Sequence, residues 1–316
     1  MSNICFAAAM SHTAQMHRCR DVLPETQDAE IYGAIERLSS ELRAARPDLL
    51  ILMYGDHYSY FTPKNMPAIC VGIADEYQTF GDAGVPVLHL PGNQKAAARL
   101  TGQLMEKGFD VAWSSDLSPD HGAACPLHLM NALDIPVIPI RINSIAPPLI
   151  SMRRAHEFGC AIGDIVRGWG PDCRVGILGT GGLSHFLPFP DPLDPHTPEE
   201  IEMVTLMSDG SNARRLSELV IKRVTEVRED DAGQASINEQ FDRQFLDDLA
   251  HGNIEPLLGM TTEYVARHAG NGGQEVRNWV AVSGAVGDGG AEVLCYQPAA
   301  PWLTGIAIAQ FPTPGQ

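Results

Sequence analysis

Short apolar runs alternate along this chain with longer segments of helical periodicity, and that alternation leaves few folds open to it. The runs Ile4–Ala9, Leu49–Tyr54, Pro86–Leu90, Val111–Ser114, Val137–Ile142 and Val175–Leu178 read as buried strands. Between them, Asp28–Ala45 sets Ile31, Ile35, Leu38 and Leu42 on one helical face, and Asn93–Lys107 and Met152–Arg167 repeat the pattern. Strands alternating with helices predict an α/β fold, a largely parallel central sheet with helices on both faces. The character changes near Asp191. The stretch PFPDPLDPHTP lacks the donors that a helix or a central strand needs, and it reads as a surface loop bordering the site. Beyond it, Ala213–Glu229, Glu239–Leu249, a short piece near Thr261 and Gln274–Val286 read as helices, and PWLTGIAIAQF as a returning last strand. No flexible linker divides the sequence. The expectation is one domain over residues 1–316 with a helical C-terminal subregion.

Composition removes several classes of function. The 316 residues are 44% hydrophobic and 19% charged, as in a globular protein. Lys and Arg number 22 against 39 Asp and Glu, a formal net charge of −17. Nucleic acid and anionic membrane need basic patches, so neither is expected as a partner. Seven cysteines, an odd number without a CxxC pair, argue against a disulfide framework or a zinc finger and for a reduced cytoplasm. The opening MSNICFAAAMSH has no basic n-region, and His12 breaks its apolar run, so it does not read as a signal peptide. No apolar stretch approaches the ~20 residues that span a bilayer.

The chemistry is concentrated in histidines. Four of the eleven sit just beyond an apolar run: His12 in AAAMSHT, His57 in LILMYGDHY, His121 in SPDHGAACP and His185 in VGILGTGGLSH. In open parallel sheets, ligands bind at the carboxyl ends of strands, where such loops converge. A lone loop histidine is most often structural. Four in the same context predict a shared polar cleft. Imidazole clusters serve metal ligation, proton transfer or activation of a nucleophile. Neither HExxH nor C-x2-C is present. Candidate carboxylates are Asp56, Asp120, Glu157 and Glu275. Asp56 and Asp120 each precede a candidate histidine; chain neighbours rarely aim at one atom, so each reads as an orienting or turn residue. Glu275 opens an apolar helical run after HAGNGGQE, where composition alone makes it a cap or a dipole partner.

The glycine string GTGGLSH fits neither GxGxxG nor a Walker loop nor a GxSxG elbow. Nucleotide binding and esterase chemistry at Ser184 are therefore poor fits. The glycines read as letting backbone approach a ligand closely and aiming His185. The remaining histidines, His156 among them, read as structural or surface groups.

Together the landmarks SHT (11–13), DHY (56–58), DHGAACPL (120–127), GTGGLSH (179–185) and EVRNWVA (275–281) resemble the class III extradiol catechol dioxygenases. These are the family with a protocatechuate 4,5-dioxygenase-like catalytic subunit, and the chain looks closest to the branch acting on 2,3-dihydroxyphenylpropionate. The resemblance covers most of the chain. It implies a non-haem Fe(II) held by His12, His57 and Glu275, a two-histidine-one-carboxylate set with three open positions. It implies that His121 and His185 are the acid/base pair, with His185 assigned to the substrate hydroxyl and His121 to the later proton donation. Asp120 is expected to tune His121. The implied reaction is ring cleavage of a substituted catechol with both atoms of O2, by a cytoplasmic homo-oligomer active in aromatic catabolism. A carboxylate on the ring would call for a cation, and Arg18, Arg20 and Arg141 are the candidates. A zinc-dependent hydrolase on the same scaffold, or a binding protein that kept the fold without turnover, would use the same cleft.

Overall fold

Each central apolar run is long enough for one buried strand, and these strands become the middle of an eight-stranded sheet. The computed structural model describes residues 3–210, 213–229 and 237–313. The strands are β1 (Ile4–Met10), β2 (Leu49–Tyr54), β3 (Ile69–Gly72), β4 (Glu76–Gln78), β5 (His89–Pro91), β6 (Ala112–Ser114), β7 (Val137–Ile142), β8 (Val175–Thr180), β9 (Glu292–Ala299) and β10 (Thr304–Gln310). The helices are α1 (Gln15–Arg18), α2 (Glu25–Ala45), α3 (Gln94–Glu106), α4 (His121–Leu129), α5 (Met152–Arg167), α6 (Pro198–Asp209), α7 (Ala213–Glu229), α8 (Glu239–Ala250), α9 (Ile254–Leu258), α10 (Thr262–Ala269) and α11 (Val276–Val286). Sheet order is β6-β3-β7-β2-β8-β1-β10-β9. The central four, β7, β2, β8 and β1, run parallel, while β3 joins β7 and β10 joins β1 antiparallel.

Both faces of the sheet are covered, as the period-2 pattern requires. Ile4, Ala7 and Ala9 of β1, with Leu49, Ile51 and Met53 of β2, pack towards α3, α5 and α8–α11. Phe6, Ala8 and Met10, with Leu50, Leu52 and Tyr54, pack towards α2 and α4. Most of the C-terminal helices thus share the main core. α6 and α7 instead meet over Met203, Met207 and Leu219, a cluster set against Tyr58 and Phe189.

Three expectations need correction. The run Pro86–Leu90 is not a central strand: only His89–Pro91 is extended, and it pairs with β4 in a separate ribbon. Pro86 has no donor to offer a ladder, and the segment bonds the loop around Thr79 instead (Thr79 N–H to Leu88 O, 2.9 Å; Leu88 N–H to Thr79 Oγ1, 2.8 Å). Helix α4 was not expected, because Gly122 and Pro126 interrupt its pattern; Asp120 caps it by accepting Gly122 N–H at 2.9 Å. The segment Gln274–Val286 splits into a 3-10 turn at Gly272–Glu275 and α11 proper.

Helix α11 packs on α5, β8 and β1, and the contact with α5 is close. A Cβ at Gly159 would lie 1.8 Å from Ala281 O, and one at Gly163 2.1 Å from Ala285 O. Gly159→Ala should therefore destabilise the fold by roughly 1–3 kcal/mol or more, read as a lower denaturant midpoint. Unchanged stability would contradict this packing.

Candidate metal centre

Strand order brings three of the histidines together. β8 lies between β2 and β1 and runs parallel to both, so the loops after Met10, Tyr54 and Thr180 emerge side by side, carrying His12, His57 and His185. His121 arrives differently. β6 runs against the central strands, so its end lies away from the cleft, and residues 115–120 carry the chain back to the start of α4. Thr180 Oγ1 donates to Gly122 O at 2.7 Å, which ties α4 to the tip of β8. Asn278 Nδ2 and Trp279 Nε1 of α11 donate to Thr180 O (2.6 Å) and Gly181 O (3.0 Å), and so hold Glu275 over the same tip.

All four histidines and Glu275 meet in one cleft. Glu275 Oε1 lies 3.7 Å from His12 Nε2 and 3.6 Å from His57 Nε2, and Oε2 lies 3.7 Å from His185 Nε2. The His57 and His121 ring centroids are 4.2 Å apart, and His12 lies 5.4 and 5.6 Å from them. Donor atoms of His12, His57 and His121 also fall within 4.8 Å of one another. In three rings Nδ1 is tied back: His57 to Asp120 Oδ2 (2.8 Å), His185 to Leu183 O (3.0 Å), and His121 to Asp82 Oδ2. This leaves Nε2 for the cleft.

The glycine string serves this carboxylate. Gly182 N–H donates to Glu275 Oε2 at 2.9 Å. At Gly181, whose φ is +154°, a Cβ would lie 2.4 Å from Glu275 Cβ.

Three buried atoms at the centre have no hydrogen-bond partner: His12 Nδ1, His12 Nε2 and Glu275 Oε1. Bare buried polar atoms are costly, and two of these three face each other. A cation between them would satisfy both, so the donor set fits a metal. Burial, then the neighbouring His57, holds His12 well below the usual imidazole range, which keeps it neutral and ready to ligate. Burial pushes the Glu275 carboxyl up to about 7 and His185 down to about 4. For His57 burial acts downward, yet the charge and hydrogen bond of Asp120 outweigh it and raise the ring to about 10.

The expected tuning of His121 by Asp120 needs correction. Asp120 grips His57, accepting its ring nitrogen and its backbone N–H (2.7 Å), and stands 3.9 Å from His121 Nδ1. The partner of His121 is Asp82, which also accepts its backbone N–H at 2.9 Å. Sequence reading missed Asp82; the only local cue is a turn, GDAG, in which Gly81, Ala83 and Gly84 have positive φ. Asp56 is buried but holds the turn after it, accepting Tyr60 N–H (3.1 Å) and Phe61 N–H (3.3 Å); burial, then Asp120, raises its carboxyl to about 6. Glu157 pairs with Arg154 at the surface.

Of the arginines, Arg20 pairs with Asp28 over the Tyr32 ring, and Arg141 is fully buried, donating to Pro67 O. Arg18 donates to Ala83 O at 3.3 Å, beside Asp82. Phe189 of the proline-rich loop meets Tyr58 edge to face at 5.3 Å, so that loop packs on the segment that carries His57.

Ser184 is buried and committed. Its Oγ donates to Asp242 Oδ2 (2.7 Å) and accepts Asn238 N–H (2.8 Å), while Asp242 also accepts Ser184 N–H (2.8 Å) and Tyr296 O–H (2.9 Å). No nucleophile is left there. Burial pushes the Asp242 carboxyl up to about 6 from an ordinary 3.8. Because the folded group holds its proton longer, its contribution is full below pH ~4 and is lost as pH rises through ~6. Asp242→Asn should flatten that part of the stability profile, measured as urea midpoints at pH 4.5 and 7. A decline just as steep in the variant would remove Asp242 as its source.

No helix of the described residues is long and apolar enough to cross a membrane. Residues 6–304 match the family described as the catalytic LigB subunit of aromatic ring-opening dioxygenase, and the chain belongs to that family. It is an enzyme, a ring-cleavage dioxygenase of the extradiol class. Among similar proteins is the 2,3-dihydroxyphenylpropionate/2,3-dihydroxicinnamic acid 1,2-dioxygenase of Photorhabdus laumondii, 34% identical over 296 residues, 90% of each chain. The protein of the same description from Rhodococcus globerulus is 30% identical over 314 residues, 95% of each. An uncharacterized protein of Escherichia coli K12 shares the fold, with a TM-score of 0.53 at 15% identity over 97% of this chain and 99% of that one.

Proposed function

We propose that this chain opens the ring of a substituted catechol with O2 at a ferrous ion held by His12, His57 and Glu275. The supporting observation is the set of buried, unpartnered donors on His12 and Glu275, with His57 Nε2 at 3.6 Å from the same carboxylate oxygen. Glu275 is preferred to His121 as third ligand, because Asp82 fastens His121 and leaves its side chain 13% exposed, whereas Glu275 is sealed. Two histidines and one carboxylate suit Fe(II), and such an ion supplies open positions where a catechol and O2 are brought together.

The remaining residues divide the proton work. His185, held neutral by burial, takes a proton from the substrate hydroxyl at Nε2. His121, oriented by Asp82 and nearer to solvent, returns one to oxygen later. Tyr58, Phe189 and the cluster under α6 and α7 keep water from one wall. Of the three arginines, Arg18 is our candidate to meet a carboxylate on the ring, because its bond to Ala83 O sets it next to Asp82, the partner of His121, and because the substrates in the relatives' names carry a carboxylate. The same proposal includes one catalytic domain over residues 1–316, association into a homo-oligomer and a cytoplasmic setting.

Asp120→Asn should weaken iron binding about 10–100-fold by releasing the His57 ring, measured by competition with a chelator. Anaerobic loading with Fe(II), followed by oxygen uptake and the appearance of a yellow ring-fission product across a panel of substituted catechols, tests the reaction. Product formed with equimolar O2 supports the proposal. Bound zinc with no uptake would favour a hydrolase.

A further inference from the structure

A second reactive cluster lies towards the other end of α11, where Ser283 is about 12 Å along the helix from Glu275 at 1.5 Å per residue. Cys160 and His156 are one turn apart on α5, with Cys160 Sγ 3.7 Å from His156 Nδ1. On the far side of the ring, His156 Nε2 meets Asp288 Oδ1 at 2.9 Å and Oδ2 at 3.0 Å. Asp288 is itself fixed: Ser283 Oγ donates to its Oδ1 at 2.8 Å, and its own N–H bonds Ser283 O at 3.2 Å. Thiol, imidazole and carboxylate thus form a relay in the order used to activate a cysteine nucleophile.

The cluster reaches the surface. Cys160 is partly exposed, and the His156 and Asp288 side chains are 13% and 28% exposed. Nothing in the metal cleft uses these residues. No other cysteine thiol among the described residues is shown bonded to an imidazole. Cys70, Cys125 and Cys295 are buried, and Cys5 and Cys173 are pushed up mainly by burial. Cys5 Sγ donates only to Val175 O.

We propose that Cys160, His156 and Asp288 form a modification site, where the Cys160 thiol gives its proton to His156 as its sulfur adds to electron-poor alkenes such as enones and quinones. A hydrogen bond given by the protonated ring to Cys160 Sγ, with Asp288 behind the ring, holds His156 up to about 9 against its burial, and Glu255 of α9 adds its charge to the same ring. In the addition, the S–C bond forms as the alkene π pair moves towards the carbonyl. The imidazolium then returns its proton to carbon, so thiol plus alkene gives a thioether with nothing lost. This inference is independent of the metal reading, and its test does not measure turnover.

The test exposes the folded, iron-loaded protein to limiting N-ethylmaleimide at pH 7 and follows each cysteine-containing peptide by mass spectrometry. Cys160 should be modified first, and about tenfold more slowly in both His156→Gln and Asp288→Asn. Each variant is checked by circular dichroism, and the Asp288→Asn result decides if His156→Gln fails to fold. Cys160 reacting no faster than Cys5, Cys19 and Cys173, or equally fast in the folded variants, would overturn the proposal.

Discussion

His57→Ala should purify folded with less than about a tenth of the iron that the unmodified protein takes up under anaerobic loading. The ring is the most firmly held of the proposed ligands, with Asp120 on both its Nδ1 and its backbone N–H. Removing it leaves Glu275 and His12 facing each other, and two donors hold a divalent ion poorly. Asp120 keeps its bonds to the backbone N–H groups of residue 57 and Gly122, so the cap of α4 survives and the fold should persist. Metal analysis with a circular-dichroism melt separates loss of iron from loss of structure. Full metal content in His57→Ala would mean that the ligand set is wrong.

His185→Phe and His121→Phe should show the opposite split: iron retained, turnover reduced by about 10²–10⁴-fold, the range for removing a positioned acid or base. Both rings are fastened at Nδ1 to groups outside the proposed ligand set, Leu183 O and Asp82. A phenyl ring fills similar space without a nitrogen. The comparison also ranks the alternative donor set, since His121 lies within ligand distance of His12 and His57. Iron lost in His121→Phe and kept in Glu275→Gln would move the third ligand from Glu275 to His121.

Much of this arrangement is legible in the sequence because strand ends are. The apolar runs behind His12, His57 and His185 become β1, β2 and β8, three adjacent parallel strands, so a shared context in sequence becomes a shared place in space. The same reasoning reaches His121 for the wrong reason: its strand, β6, points away, and a returning segment and the cap of α4 deliver it. Glu275 was readable only through the family resemblance, since a helix-start carboxylate looks like a cap until Gly55 and Gly181 are seen to leave it room. Chain proximity misled for the acids. Asp120 serves His57, 63 residues away, and His121 is served by Asp82, 39 residues away, because a side chain's partner is set by which loops converge. Strands β3 and β9 escaped because their runs are brief or mixed, so alternation along them is faint.

The ligand geometry is open to direct measurement by anomalous scattering at the iron edge from crystals loaded with Fe(II) without oxygen. One peak within bonding distance of His12 Nε2, His57 Nε2 and Glu275 Oε1, with His121 and His185 outside it, is the expected result. A peak bonded to His121, or one that leaves Glu275 turned away, would contradict it.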